Sequence, residues 1–166
     1  MRYLDVPFFK QDTNYTCGPV SLQMVLAYYG IIESELALRE ELNSHPVTGT
    51  THQAMISAVT DRGLHCYVND NATREELEQY LAQDIPVIVR YVEPSTSDDH
   101  YSVAVGATDD EIVLNDPWNG ERVRLAWREF EERWTCDEIG TCEHWLMAIA
   151  REAFPLGRQY HPDGIK

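Results

Sequence analysis

Gln11-Asp12-Thr13-Asn14-Tyr15-Thr16-Cys17-Gly18-Pro19, followed at once by VSLQMVLAYYG over residues 20–30, decides how this chain reads. Beyond the cap region only Ser21 and Gln23 are polar in residues 18–29. A helix that is apolar almost all round belongs at the centre of a fold, buried on every side. Pro19 is tolerated because it falls in the first turn, and Gly30 suits the C-terminal cap. The loop therefore delivers Cys17 to the mouth of a buried helix, where free N–H groups and partial positive charge favour a thiolate. Gln11 brings a side-chain amide able to donate to a developing oxyanion. A cysteine nucleophile needs both.

Outward from this helix, the first half of the chain reads as further helices. The pattern predicts one over 34–43, one over 51–62 that stops at Gly63, and one starting at Thr73, where Thr73 and Glu76 form a capping box. The second half reads as strands at 86–92, 100–106, 111–116, about 122–126 and 144–150, with LHCYV (64–68) as a further strand and a short helix near 127–134. Helices first and strands later predict an α+β domain, its buried N-terminal helix packed on a C-terminal antiparallel sheet.

A thiol needs a base. Of the six histidines, His100 opens a strand directly after the polar loop EPSTSDD, at a sheet end open to substrate. The next strand ends in Asp116, ahead of the turn Pro117-Trp118-Asn119-Gly120. A three-residue loop at 107–109 would make His100 and Asp116 direct cross-strand neighbours with Cβ atoms about 5 Å apart. A two-residue loop would set Asp116 against Tyr101 instead. The face shared with His100 carries Ser102, Ala104 and Gly106, small enough for the Cys17 helix to approach closely. In this arrangement Cys17 is the nucleophile, His100 the base and later acid, Asp116 the group that orients the imidazole, and Gln11 with the Cys17 N–H the oxyanion donors.

The bulk properties bound the partners. At 166 residues the chain suits one domain, read as spanning 1–166, and 43% hydrophobic content fits a globular protein. A net charge of −15 repels nucleic acid and anionic membrane surfaces. No window is apolar enough for a membrane helix, and the N-terminus shows no signal peptide. Four cysteines at irregular spacing do not form a secreted disulfide framework. The Asn14-Tyr15-Thr16 sequon, if glycosylated, would obstruct Cys17, so a cytoplasmic location is expected. Cys136, Cys142 and His144 lack a standard zinc spacing, and the segment reads as a loop with free thiols, with a disulfide or a metal as alternatives. His65-Cys66 reads as structural, and the four tryptophans as core or strand-edge packing. No cofactor is expected.

Three segments taken together, VPFFKQDTNYTCGPVSLQMVLAYYG, HYSVAVG and LNDPWNG, resemble papain-like cysteine peptidases of the bacteriocin-processing, double-glycine-leader family and its stand-alone relatives. The resemblance covers about residues 4–120 and leaves the tail, 152–166, peripheral. It implies a papain-like fold, Cys17 as nucleophile, His100 as base, Asp116 as orienting acid and Gln11 as oxyanion donor. It also implies a peptide or protein substrate, with leader-type peptides as one class. Thr16 and Pro19 stand where those processors often carry Asp and Ala. Two other functions share this chemistry or this scaffold: acyl or peptidyl transfer, in which an amine resolves the thioester, and a weakly catalytic peptide-binding module.

Overall fold

The computed structural model describes residues 2–135, 143–155, 159–162 and 164–165. Its elements follow the order α1 (Cys17–Tyr28), α2 (Glu35–Glu41), α3 (His52–Thr60), β1 (His65–Asn69), α4 (Arg74–Ala82), β2 (Val87–Val92), β3 (Asp99–Ala107), β4 (Glu111–Asp116), β5 (Gly120–Ala126), α5 (Trp127–Arg133), β6 (Leu146–Ala150), β7 (Gln159–His161) and β8 (Gly164–Ile165). The strands form one sheet in the order β5-β4-β3-β2-β6-β1-β7-β8, and every pairing is antiparallel. Helices first and sheet later is the predicted α+β arrangement. The short strands β7 and β8 come from the tail and extend the sheet beyond β1.

The central helix is buried as its composition requires. Val20, Leu22, Met24, Val25 and Leu26 of α1 are wholly inaccessible, and the helix packs on β3 and against α2 and α3. Each such side chain contributes about 1.5–3 kcal/mol relative to exposure. Gly18 is required by sterics: a Cβ there would lie 2.8 Å from Cβ and Oγ1 of Thr50. At Gly106 the close neighbours are the Tyr3 ring and the Arg2 carbonyl, so that missing Cβ accommodates the N-terminal segment rather than α1.

Local signals set the helix starts. Ser34, Thr51 and Thr73 each cap by accepting from the N–H three residues on, at 3.0, 3.1 and 3.1 Å. Only half of the expected Thr73–Glu76 box forms. The Glu76 carboxylate turns to Asn69 Nδ2 at 2.9 Å, because β1 ends beside it.

The β3–β4 register differs from both expectations. The turn centres on Asp109-Asp110, closed by Thr108 N–H donating to the Glu111 carbonyl at 2.8 Å. Ala107 pairs with Ile112 and Gly106 with Val113, after which a bulge at Val105 resets the ladder to Ala104–Leu114 and Val103–Asn115. Asp116 follows the last paired residue, so it lies diagonally across from His100, two positions out of direct opposition and on the same face.

Trp127, Trp134 and Trp145 are core residues, whereas Trp118 stays partly exposed. Cys136 and Cys142 fall outside the described residues. His144 stacks on Trp134 at 4.5 Å and its Nδ1 bonds the Ala72 carbonyl at 3.0 Å. Among the described residues no helix is long and apolar enough to cross a membrane.

Candidate active site

Cys17 is the first residue of α1 and stays partly exposed in an otherwise buried turn. No acidic residue stands in that first turn, and the Thr16 side chain makes no capping hydrogen bond to it. The Thr16 hydroxyl instead donates to Glu35 Oε1 at 2.6 Å and meets Thr13 Oγ1 at 2.8 Å. Glu35 also accepts from the Asp12 N–H at 3.0 Å, so one carboxylate at the start of α2 fixes the loop before the nucleophile. The positive end of α1 is left to the thiol itself.

β3 presents His100 to that thiol. His100 Nε2 donates to Asp116 Oδ1 at 2.7 Å, which leaves Nδ1 as the nitrogen meeting Cys17. The thiol faces the His100 side chain and the backbone at Tyr101. The Asp116 carboxylate collects further donors: the N–H groups of Trp118 (2.8 Å) and Asn119 (2.9 Å), Asn119 Nδ2 (3.1 Å) and the Tyr91 hydroxyl. A wholly buried carboxylate is costly without such partners.

Burial opposes charge at Cys17, but the facing His100, the Tyr101 backbone and the more distant Arg90 outweigh it, and the thiol falls below its ordinary value. Burial also disfavours the charged imidazole, yet the thiolate and Asp116 raise His100 well above the usual histidine range. Asp116 is held far below the carboxylate range, its desolvation outweighed by His100, Tyr91 and the Asn119 N–H. All three shifts favour charge: a thiolate at Cys17, an imidazolium at His100 and a carboxylate at Asp116. His52 contrasts with this. Burial and the Arg90 charge hold it neutral, with its pKa down to about 4, while its Nδ1 meets the Tyr101 hydroxyl at 2.7 Å and its ring stacks on Trp145. Cys66, deep in β1, is pushed up to about 12 by burial and is inert at neutral pH.

Gln11 is also buried. Its Nε2 donates to the Thr13 carbonyl at 2.6 Å, leaving the amide's second N–H uncommitted. Its own backbone N–H donates to the Pro117 carbonyl at 2.9 Å, so the Gln11 loop is stitched to the turn that follows Asp116. Of the four residues singled out in the sequence, the structure sets His100 against Asp116 and facing Cys17, while Gln11 is tied through its backbone to the turn after Asp116. It adds Tyr91 and Glu35, for which no motif or spacing gave a signal, and Asn119, which lay in the LNDPWNG segment without an assigned role. Tyr91 could have been found only from the β2–β3 register, which pairs it directly with His100.

Comparison with known proteins gives the family and the fold. The sequence model of the Peptidase_C39 like family matches residues 3–138. An uncharacterized protein of Methanothermobacter marburgensis is 33% identical over 121 residues, covering 73% of this chain and 78% of that protein. The pediocin PA-1 transport/processing ATP-binding protein PedD of Pediococcus acidilactici is 26% identical over 130 residues, which are 77% of this chain but 17% of PedD. The double glycine motif protease of an AMS/PCAT transporter, solved in complex with the leader peptide, superposes with a TM-score of 0.69 at 22% identity. That match covers 89% of this chain and 93% of the other, and it shows a shared papain-like fold.

Proposed function

The chain belongs to the Peptidase_C39 like family, and from that premise we propose that it is a cysteine peptidase working through Cys17, His100, Asp116 and Gln11. The Cys17 thiolate attacks the carbonyl carbon of the scissile peptide bond, and the π electrons move onto oxygen. The free N–H of Gln11 and the backbone N–H of Cys17 receive that oxyanion. His100 Nδ1 passes its proton to the leaving amine as the C–N bond breaks, giving a thioester. Neutral His100 then takes a proton from water, whose oxygen displaces Cys17. Asp116 stays ionised throughout, holding the ring and stabilising its charged form.

The observation that carries this reading is the 2.7 Å bond from His100 Nε2 to Asp116 Oδ1, which commits the other ring nitrogen to Cys17. The substrate is a peptide, and leader-type peptides are the first class to test. The transporter protease that shares this fold was solved with its leader peptide, and PedD is a transport/processing protein.

The test is incubation with a peptide library that includes leader peptides ending in Gly-Gly, with products read by mass spectrometry and Cys17→Ala as control. Cleavage by the native chain alone is expected. Intact peptides throughout, or equal cleavage by both proteins, refute the reading. Ligated products formed with added amine acceptors would mark a transferase instead.

A further inference from the structure

We propose that Tyr91 is a positioning residue of this site, its hydroxyl clamping Asp116 Oδ2 so that Oδ1 faces His100. The inference rests on the peptidase reading and extends it to a residue outside the row of three. Tyr91 lies on β2, directly opposite His100 on β3, with ring centroids 6.2 Å apart. It is wholly buried, and its hydroxyl donates to Asp116 Oδ2.

The two carboxylate oxygens have divided duties. Oδ1 takes His100 Nε2 and the N–H groups of Trp118 and Asn119. Among the described residues Oδ2 takes Tyr91 and Asn119 Nδ2. Asn119 Nδ2 spends its two N–H groups on two acceptors, Asp116 Oδ2 at 3.1 Å and Glu93 Oε2 at 3.0 Å. The phenol is the donor at Oδ2 that comes from the strand directly paired with His100. Without it the carboxylate can swing about its own axis and the bond to His100 loses its direction.

Burial and the Asp116 charge both raise the Tyr91 phenol, so it stays protonated and remains a donor across the working range. The ionisable groups around Asp116 are His100, Tyr91 and, through Asn119, Glu93; Cys17 faces the far side of His100. Phe130 of α5 packs on the Tyr91 ring at 6.0 Å and carries no charge. Removing the hydroxyl should therefore loosen the thiolate–imidazolium pair without emptying the core.

The experiment uses the full chain and iodoacetamide, reading the rate of Cys17 alkylation against pH by mass spectrometry. Tyr91→Phe keeps the ring. Its acid limb should move up by about one pH unit, with alkylation slowed about tenfold near that limb. The same substitution made in Asp116→Asn should move nothing further, because the carboxylate through which it acts is gone. Thermal melting of each variant confirms folding. An unmoved or lowered acid limb in Tyr91→Phe overturns the proposal, and so does an equal shift in the Asp116→Asn background. Failure of the parent reading looks different: the native chain itself would then alkylate Cys17 only in the ordinary thiol range.

Discussion

The Glu35 carboxylate accepts a hydrogen bond from the Thr16 hydroxyl at 2.6 Å, joining the residue before Cys17 to the first turn of α2. A partly buried acid thereby holds the loop that leads into Cys17. Glu35→Ala would strip partners from Thr16 and from the Asp12 N–H, at a cost of about 1–3 kcal/mol. The expected outcome is a lower melting temperature together with slower Cys17 alkylation. Glu35→Gln keeps an acceptor oxygen and should recover much of both. Equal losses in the two variants would show that charge, not acceptance, matters here.

Gln11 should separate two functions. Gln11→Ala is expected to lower peptide turnover by about a hundred- to a thousandfold, the usual effect of losing an oxyanion donor. Alkylation of Cys17 builds no oxyanion, so its rate should stay near the native value. A parallel fall in both rates would reassign Gln11 to holding the loop through Thr13.

Gly18→Ala places a methyl against Thr50 at 2.8 Å, where neither helix nor loop has room. Overpacking of this kind costs about 1–3 kcal/mol. Chemical denaturation should show the loss, and the displaced first turn should slow alkylation as well. An unchanged midpoint would mean that the loop at Thr50 yields freely.

Glu93 gives an acid-stability prediction. Burial favours its neutral form, but Ser95, Thr96 and Asn119 donate to it and bring its pKa down to about 2. A folded value below the unfolded one means stability that is present above the ordinary carboxylate range and lost as pH falls towards 2. Glu93→Gln should be less stable at pH 7 and should lose less between pH 5 and pH 2. Melting curves across that range decide it: parallel profiles for native and variant would remove Glu93 from the account.

The buried helix, the caps at Ser34, Thr51 and Thr73, and the order of helices before strands were legible because each follows from local composition. Cys17 and Gln11 were legible from spacing around one helix start. The meeting of His100 with Asp116 was anticipated, but its register was not. A turn one residue later than expected and a bulge at Val105 are decided by packing across the sheet, where Tyr3 and Arg2 press on Gly106. Tyr91 was invisible for a related reason. Its pairing with His100 depends on the 93–98 turn, which Glu93 organises by bonding Ser95 and Thr96. The last strands, three and two residues long, are too short to carry a pattern.

The N-terminal strap has a consequence for the order in which reactivity arises. Leu4 bonds Val105, Gln11 bonds Pro117, and Asn115 Nδ2 reaches the Val6 carbonyl across 109 positions of sequence. Closing so long a loop is entropically expensive and occurs only when the β3–β4 hairpin exists to receive the strap. On a growing chain, α1 and its cysteine emerge long before the residues at 100 and 116. Until those arrive, Cys17 is an ordinary thiol with no imidazole beside it. On the proposed function, heightened reactivity at Cys17 would therefore report a completed fold, and a truncated or half-made molecule would keep only ordinary thiol chemistry.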